Sequence, residues 1–279
     1  MCGIAGFVND MPIDMKCPVL QRMTDMIAHR GPDSEGHYID EHAALGHRRL
    51  SIIDLGGGQQ PIYNEDGSKV ITFNGEIYNY QTLREELIAA GHTFTTKSDT
   101  EVLLHGYEQW GVDLLQRVRG MFTFVIWDKN KQELFGARDH FGIKPFYYAK
   151  MNGTFMYASE IKSLLRHPDF VKELNAEALK PYMTFQYPAI GETFFKGVYK
   201  LPEGHYFTYR DGKMDIHRYY DEDFREGKQK LGELVNSIDQ TVCDSVKAHQ
   251  IADVEVGSFL SSGVDSSYVA AVARPQHTY

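Results

Sequence analysis

Little in this 279-residue chain is cysteine: Cys2, Cys17 and Cys243 are too few and too scattered for a disulfide framework or a zinc ribbon, and a reducing, cytoplasmic setting is expected. Long apolar runs are missing too. Met121 to Trp127 falls far short of the roughly 20 residues a membrane helix needs, so no membrane partner is expected. No basic segment followed by an apolar core opens the chain, so it does not read as a secretory signal. Positive charge is in deficit, with 29 Lys and Arg against 38 Asp and Glu and a net charge of −9, which argues against a nucleic-acid surface. The 12 histidines show no HxxxH or HExxH spacing, the common helical signature of a metal site. No internal repeat is visible. What is there, 42% hydrophobic and 24% charged residues, suits a soluble globular protein of one large or two moderate domains.

The most informative residue is Cys2, directly behind Met1. Once Met1 is removed, one residue carries both a thiol and an α-amine. A thiol with pKa of roughly 8.5 is mostly protonated at neutral pH. An amine with pKa of about 8 is partly neutral there and can take the thiol proton, directly or through one water. The ordinary alternative is a small core hydrophobe that starts a strand.

Short β-type runs dominate the first two hundred residues: Ile4 to Val8, Ala44 to Ile53, Lys69 to Phe73, Met121 to Asp128, Glu133 to Asp139 and Pro145 to Lys150. Asn152-Gly153 between two aromatic runs signals a hairpin. Gln81 to Ala90 reads as a helix stopped by Gly91. Ser98-Asp99-Thr100-Glu101 reads as a capping box, followed by Leu103, Tyr107 and Trp110 at helical spacing. Strands with helices in blocks point to an α+β layered domain. Pro202 to Asp223 reads as a connector with the turn Arg210-Asp211-Gly212. Beyond it lie a helix over Leu231 to His249, a buried strand over Val254 to Leu260, a Ser/Gly loop at 261–267 and an apolar helix from Tyr268. That order is how a doubly wound α/β domain begins, and residues 224 to 279 are too few to bury a parallel sheet of their own.

Several short stretches are candidates for chemistry. His29-Arg30-Gly31-Pro32-Asp33-Ser34-Glu35-Gly36 turns sharply and alone reads as a loop. Arg49 ends a polar patch, Asn74-Gly75-Glu76 follows a strand, and Asp99 opens a helix. Each also has a structural explanation: a surface salt bridge for Arg49, a hairpin turn for Asn74-Gly75, and a helix-start acid for Asp99. Arg138-Asp139-His140 has the residue types of a catalytic triplet, but an Arg-Asp ion pair is the simpler reading.

Taken with Cys2, the blocks MCGIAGF, HRGPDSEG, GHRRLSIIDL, FNGEIYN, SDTE, RDHFGIKPFYY and ASEIKSLL resemble, in order, the class II glutamine amidotransferase domain, an N-terminal-nucleophile hydrolase. More narrowly they resemble the glutaminase half of the asparagine synthetase family, and the likeness runs on through LPEGHY to SFLSSGVDSS. The resemblance implies a four-layer αββα domain of two stacked antiparallel sheets at 2–215, then the incomplete start of a doubly wound α/β ATP pyrophosphatase domain at 228–279.

It also implies roles. Cys2 would attack the side-chain amide of glutamine, with the Asn74 amide and the Gly75 N–H holding the oxyanion. Arg49 would bind the glutamine α-carboxylate, Glu76 and Asp99 the α-ammonium, and backbone near Ile52 and Ile53 would touch the substrate. Leu260, Ser261, Gly263, Asp265 and Ser266 would form an ATP site, with Asp265 as a Mg²⁺ contact. The superfamily pattern has Ser-Gly-Gly where this chain has Ser261-Ser262-Gly263. ATP with Mg²⁺ would serve the synthetase, activating aspartate as a β-aspartyl adenylate that ammonia reaches through an internal tunnel. The glutaminase half would need no cofactor, and these residues alone would hydrolyse glutamine at best. A homodimer is compatible with the family. Two other readings remain: a sister amidotransferase that amidates another carboxylate, and a non-catalytic glutamine-binding domain.

Overall fold

Alternating apolar residues set the architecture. The computed structural model describes residues 1–187 and 191–279. In chain order its elements are β1 (Gly3–Val8), α1 (Ile13–Asp25), β2 (Ser34–Ile39), β3 (Ala43–Arg49), β4 (Ile62–Tyr63), β5 (Lys69–Ile77), α2 (Tyr80–Ala89), α3 (Asp99–Trp110), β6 (Gly120–Asp128), β7 (Glu133–Arg138), β8 (Tyr147–Met151), β9 (Thr154–Ala158), α4 (Ile161–Leu164), α5 (Leu179–Phe185), β10 (Val198–Lys200), β11 (His205–Arg210), β12 (Lys213–Arg218), α6 (Leu231–Ala248) and α7 (Val264–Ala273). They cluster into two units, Met1–Ser51 with Gly56–Asp221, and Ile52–Leu55 with Glu222–Tyr279. Among the described residues no helix is long and apolar enough to cross a membrane.

The first unit is built on two six-stranded sheets, ordered β10-β8-β9-β1-β3-β2 and β12-β11-β7-β6-β5-β4. Neighbouring strands run antiparallel throughout. Because strand side chains alternate with period two, each sheet has two apolar faces to cover. Ile4, Leu45, Phe155 and Tyr157 of one sheet meet Val70, Val125, Trp127 and Phe207 of the other in a shared core. The opposite face of the first sheet, with Ala5, Phe7, Ala44 and Met156, is covered by Val19, Leu20 and Met23 of α1 and Leu164 of α4. On the second sheet, Tyr107 of α3 stacks on Phe135 of β7 with ring centroids 4.5 Å apart. The result is the expected four-layer αββα arrangement. Burial of each large side chain in these layers stabilises the fold by about 1.5–3 kcal/mol.

Several expectations hold. Asn152 and Gly153 take φ of 50° and 82°, the positive pair a two-residue hairpin turn requires. Leu83 and Leu87 of α2 are buried, and Gly91 follows with φ 103°.

Others need correction. Residues 202–223 are no connector: β11 and β12 form a hairpin whose β11 pairs with β7, so Arg210-Asp211-Gly212 is a turn inside the second sheet. Exposed charge on β12 hid the strand, since an edge strand carries little apolar pattern. Residues 34–36, read as loop, open β2. Helix α1 gave no signal because Pro18 lies inside it. The expected strand over Ala44 to Ile53 ends at Arg49, and the one over Lys69 to Phe73 runs on to Ile77. The capping box is only half formed. Ser98 accepts from the Thr100 N–H at 3.1 Å, but Glu101 turns to the N–H and hydroxyl groups of Thr95 and Thr96. Arg138 and Asp139 each go to backbone. The guanidinium donates to the carbonyls of Lys144, Leu201 and Gly142, while the carboxylate accepts N–H groups of Phe122, Phe141, Ile143 and Lys144.

The second unit is sparse. The anticipated buried strand over Val254 to Leu260 is exposed, and among the described residues only its end pairs. Ser258 and Leu260 donate to the carbonyls of His277 and Tyr279, a parallel bridge flanking α7. This strand–loop–helix–strand run is a minimal α/β unit. A strand exists by pairing, and these residues supply one short partner. The apolar stripe of α6 is on the surface, with Leu234 42% and Ile238 54% exposed.

Candidate active site

Cys2 sits one residue before β1, and two contacts fix it. Its backbone carbonyl accepts from Arg30 Nε at 2.9 Å, and Arg30 in turn pairs with Glu160 at 3.1 Å. Its Sγ lies 3.4 Å from the Leu50 N–H, just past β3. Burial pushes the thiol pKa up, and the Leu50 N–H and the chain-terminal amine pull the other way. Burial lowers the pKa of that amine, borne here by Met1, whose Sδ accepts from Lys144 Nζ at 2.9 Å.

Around the thiol the sequence candidates converge. Asp99 and Arg49 both act electrostatically on Cys2, raising and lowering its pKa respectively. Arg49 is not a surface residue. It is 5% exposed at the end of β3, and its guanidinium lies against Gly58, where an added Cβ would stand 2.8 Å from Nη2 and 3.3 Å from the Ser98 side chain. Gly58 therefore lets the guanidinium reach the start of α3. Asp99, at that start, is fully buried. Burial pushes its carboxyl up to about 7, opposed by the Ile77 N–H at 3.0 Å and reinforced by Glu76.

Asn74, Gly75 and Glu76 form no turn. They lie inside β5, opposite Thr123, Phe122 and Met121 of β6. Gly75 is required by that pairing, because a Cβ there would meet the Met121 carbonyl oxygen at 2.2 Å and the Phe122 Cα at 2.7 Å. Asn74 is 1% exposed, and neither its Oδ1 nor its Nδ2 has a partner among the described residues. A buried amide without partners costs about 1–3 kcal/mol for each group left unmade. A structure that tolerates this keeps the amide for something other than folding.

The sequence reading did not single out Arg30, Lys144, Leu50 or His47. His47 is buried on β3 opposite Ile4 of β1, and burial lowers its pKa to about 3, so the ring is neutral. Its Nε2 donates to the Phe73 carbonyl at 3.0 Å. This bond ties the strand beside Cys2's to the peptide that precedes Asn74, across the two sheets. All four residues lie in blocks already quoted, yet nothing in local spacing marks them. The segment of Ile52 and Ile53 groups with the second unit, where the Ile52 carbonyl accepts from Asp253 N–H at 2.9 Å.

The Ser/Gly loop joins a parallel pair to α7. Gly263 is the N-cap and makes no side-chain cap bond, leaving the first N–H groups of α7 to other acceptors. Ser261 and Ser266 hydroxyls are 3.1 Å apart, Asp265 lies in the first turn, and Leu260, Ser261, Gly263 and Asp265 are exposed while Ser266 is half-buried. Ser262 takes φ 62°. This is where the extra Cβ, relative to a glycine, costs roughly 1–2 kcal/mol.

The two-sheet αββα layering, with a cysteine at the head of a central strand, defines an N-terminal-nucleophile hydrolase fold. The chain belongs to the glutamine amidotransferase domain family, which it matches over residues 1–220. Residues 237–279 match the asparagine synthase family. The chain is similar to asparagine synthetase [glutamine-hydrolyzing] 1 of Bacillus subtilis (strain 168), 45% identical over 99% of this chain and 44% of that protein. It is also similar to asparagine synthetase [glutamine-hydrolyzing] 2 of the same bacterium, 40% identical over 100% of this chain and 40% of that protein. Amidase chry2 of Gibberella zeae is 35% identical over 98% of this chain and 42% of that protein. The chain thus spans about half the length of the curated relatives it matches. Among solved structures, the fold resembles glutamine phosphoribosylpyrophosphate amidotransferase from B. subtilis complexed with ADP and GMP. The TM-score is 0.60 at 17% identity, covering 98% of this chain and 64% of that one.

Proposed function

We propose that the first unit hydrolyses L-glutamine to glutamate and ammonia, with Cys2 as nucleophile after removal of Met1. The observation that carries this is the buried, partnerless amide of Asn74 on the strand tied by His47 to the one beside Cys2's. The α-amine of Cys2 accepts the thiol proton, and the thiolate attacks the amide carbon of glutamine. The oxygen of the tetrahedral adduct takes its hydrogen bonds from Asn74 Nδ2 and the Gly75 N–H. The ammonium of Cys2 then returns a proton to the amide nitrogen, the C–N bond breaks, ammonia leaves, and water hydrolyses the thioester. Arg49 holds the α-carboxylate, and Asp99 with Glu76 the α-ammonium.

We infer further that the complete protein passes this ammonia to an aspartate carboxylate activated by ATP. On this reading the first unit and the segment from residue 228 are the glutaminase and the opening of the ATP domain. The donor set fits: uncapped N–H groups and Ser261 and Ser266 hydroxyls suit phosphate oxygens, and the Asp265 carboxylate suits Mg²⁺, which would neutralise phosphate charge. Likeness to the amidase of Gibberella zeae favours a second reading, in which a different carboxylate is the acceptor.

Ammonia release from glutamine tests the first step. Cys2→Ala is expected to lower it by about 10⁴-fold or more. Equal rates in the two proteins, or full activity in protein whose intact mass retains Met1, would remove the nucleophile assignment. Supplying the complete protein with ATP and aspartate, or with other carboxylates, decides the acceptor.

A further inference from the structure

We propose that the first unit carries a structural site for a single divalent transition-metal ion of the zinc type, formed by Glu65, His92, His105 and Glu108. One donor atom from each lies within 4.8 Å of the other three. Three separate stretches supply them. Glu65 follows β4, His92 lies between α2 and α3, and His105 and Glu108 stand one turn apart on α3. The Nδ1 atoms face inward. His92 Nδ1 is 3.0 Å from Glu65 Oε1, and His105 Nδ1 is 3.2 Å from Glu65 Oε2 and 3.1 Å from Glu108 Oε2. Tetrahedral Zn²⁺ with N and O ligands holds its donors about 3.3 Å apart. With one Glu65 oxygen as ligand, two edges of the cluster are already near that spacing, since His92 and His105 face different oxygens of Glu65.

A second, independent observation lies behind the ligands. His92 turns its other nitrogen to an acceptor of the kind that orients a metal-bound histidine, and that of His105 faces a carboxylate just outside hydrogen-bond range. His105 Nε2 lies 3.6 Å from Glu101 Oε1, and Glu101 is itself held by four hydrogen bonds from Thr95 and Thr96. His92 Nε2 lies 3.3 Å from Gln109 Oε1. Glu108 uses its other oxygen to accept from Asn64 at 2.7 Å, which leaves Oε2 toward the centre. His105 is 1% exposed and fixed in orientation, while Glu65 and His92 border solvent and give an ion a way in. Two carboxylates and two imidazoles, with His105 giving up the proton its carboxylate neighbours favour when an ion binds, match the charge and softness of Zn²⁺ better than Mg²⁺, which prefers oxygen alone. Four protein ligands make it a closed site. It would clamp the β4–β5 turn and the α2–α3 link to α3, whose first residue is Asp99.

The test is metal binding by calorimetry, with Co²⁺ absorption as a second readout, on chelator-treated protein carrying Cys2→Ala to remove the thiol. The expected result is one Zn²⁺ per chain with a Kd near or below about 1 μM. His92→Ala and Glu65→Gln, both at accessible positions, should each weaken it by more than about 100-fold with unchanged circular dichroism. Gln109→Ala should weaken it by about tenfold through the bond that orients His92. Absence of binding up to millimolar Zn²⁺, or binding that these substitutions leave unchanged, would overturn the site and leave the cluster as an ion-pair network alone.

Discussion

Two helices with strong sequence signals ended in opposite circumstances. Helix α3 buries Val102, Leu103 and Leu104 completely and delivers Asp99 to a dry site. Helix α6 has the more regular apolar repeat of Leu234, Ile238, Val242 and Val246, yet none of its residues is buried. Periodicity announces a face that wants covering, and only neighbouring layers supply the cover. In the first unit two sheets and the helices packed on them do so. Among the described residues of the second, one parallel bridge and one helix do not. The electrostatics follow from this. Burial shifts Cys2, Asp99 and His47, whereas the Ser261 loop lies in water, where charges are screened and polar groups need no protein partner.

The sharpest test of that contrast is Asn74. Asn74→Ala should lower the turnover of glutamine by about 10²–10³-fold, the usual effect of losing one oxyanion donor. The thermal midpoint should hold or rise, because the substitution removes a buried amide that bonds to nothing in the fold. A large fall in stability with modest loss of rate would show the amide to be structural. Next comes Gly75→Ala. A methyl group 2.2 Å from the Met121 carbonyl must part β5 from β6, costing about 1–3 kcal/mol in urea unfolding. No change would mean that the β5–β6 pairing is looser than described.

A smaller effect separates the units by pH. The carboxyl of Asp99 titrates near 7 in the folded chain and near 4 when unfolded, so the folded state holds its proton longer. Stability from this group therefore declines as pH rises from about 4 to 7, then levels. Asp99→Asn should flatten that decline. Glutamine use should rise over the same interval, since the α-ammonium needs the ionised acid. Parallel urea titrations and kcat/KM profiles of both proteins check the two opposite slopes. The smallest effect belongs to the exposed loop. Ser262→Gly should relieve φ 62° and stabilise the second unit by about 1 kcal/mol, read from hydrogen exchange over α7, without altering glutaminase rate.

Much of the site was readable in the chain. Cys2, Arg49, Asn74, Glu76 and Asp99 each stand in a block whose chemistry suits glutamine, and the structure gathers Cys2, Arg49, Glu76 and Asp99 within electrostatic reach of one another. Their surroundings were less readable. A hairpin turn was as reasonable for Asn74-Gly75 as a strand, since both residues favour turns. The depth of Arg49 depended on Gly58, nine residues away. Glu101 looked like half of a capping box, and only the fold showed it supporting Thr95, Thr96 and His105.

Order along the chain was enough to determine that this is an α+β protein with a thiol at its head, because strand alternation, turn residues and a cysteine behind Met1 are local properties. Which distant groups meet was decided by sheet register and helix docking. His47 reaches Phe73 across two sheets, residues 205–218 join the second sheet, and His92 comes within 5.0 Å of the His105 ring. No spacing rule encodes these meetings, since contact between far segments depends on how whole layers bury their apolar faces.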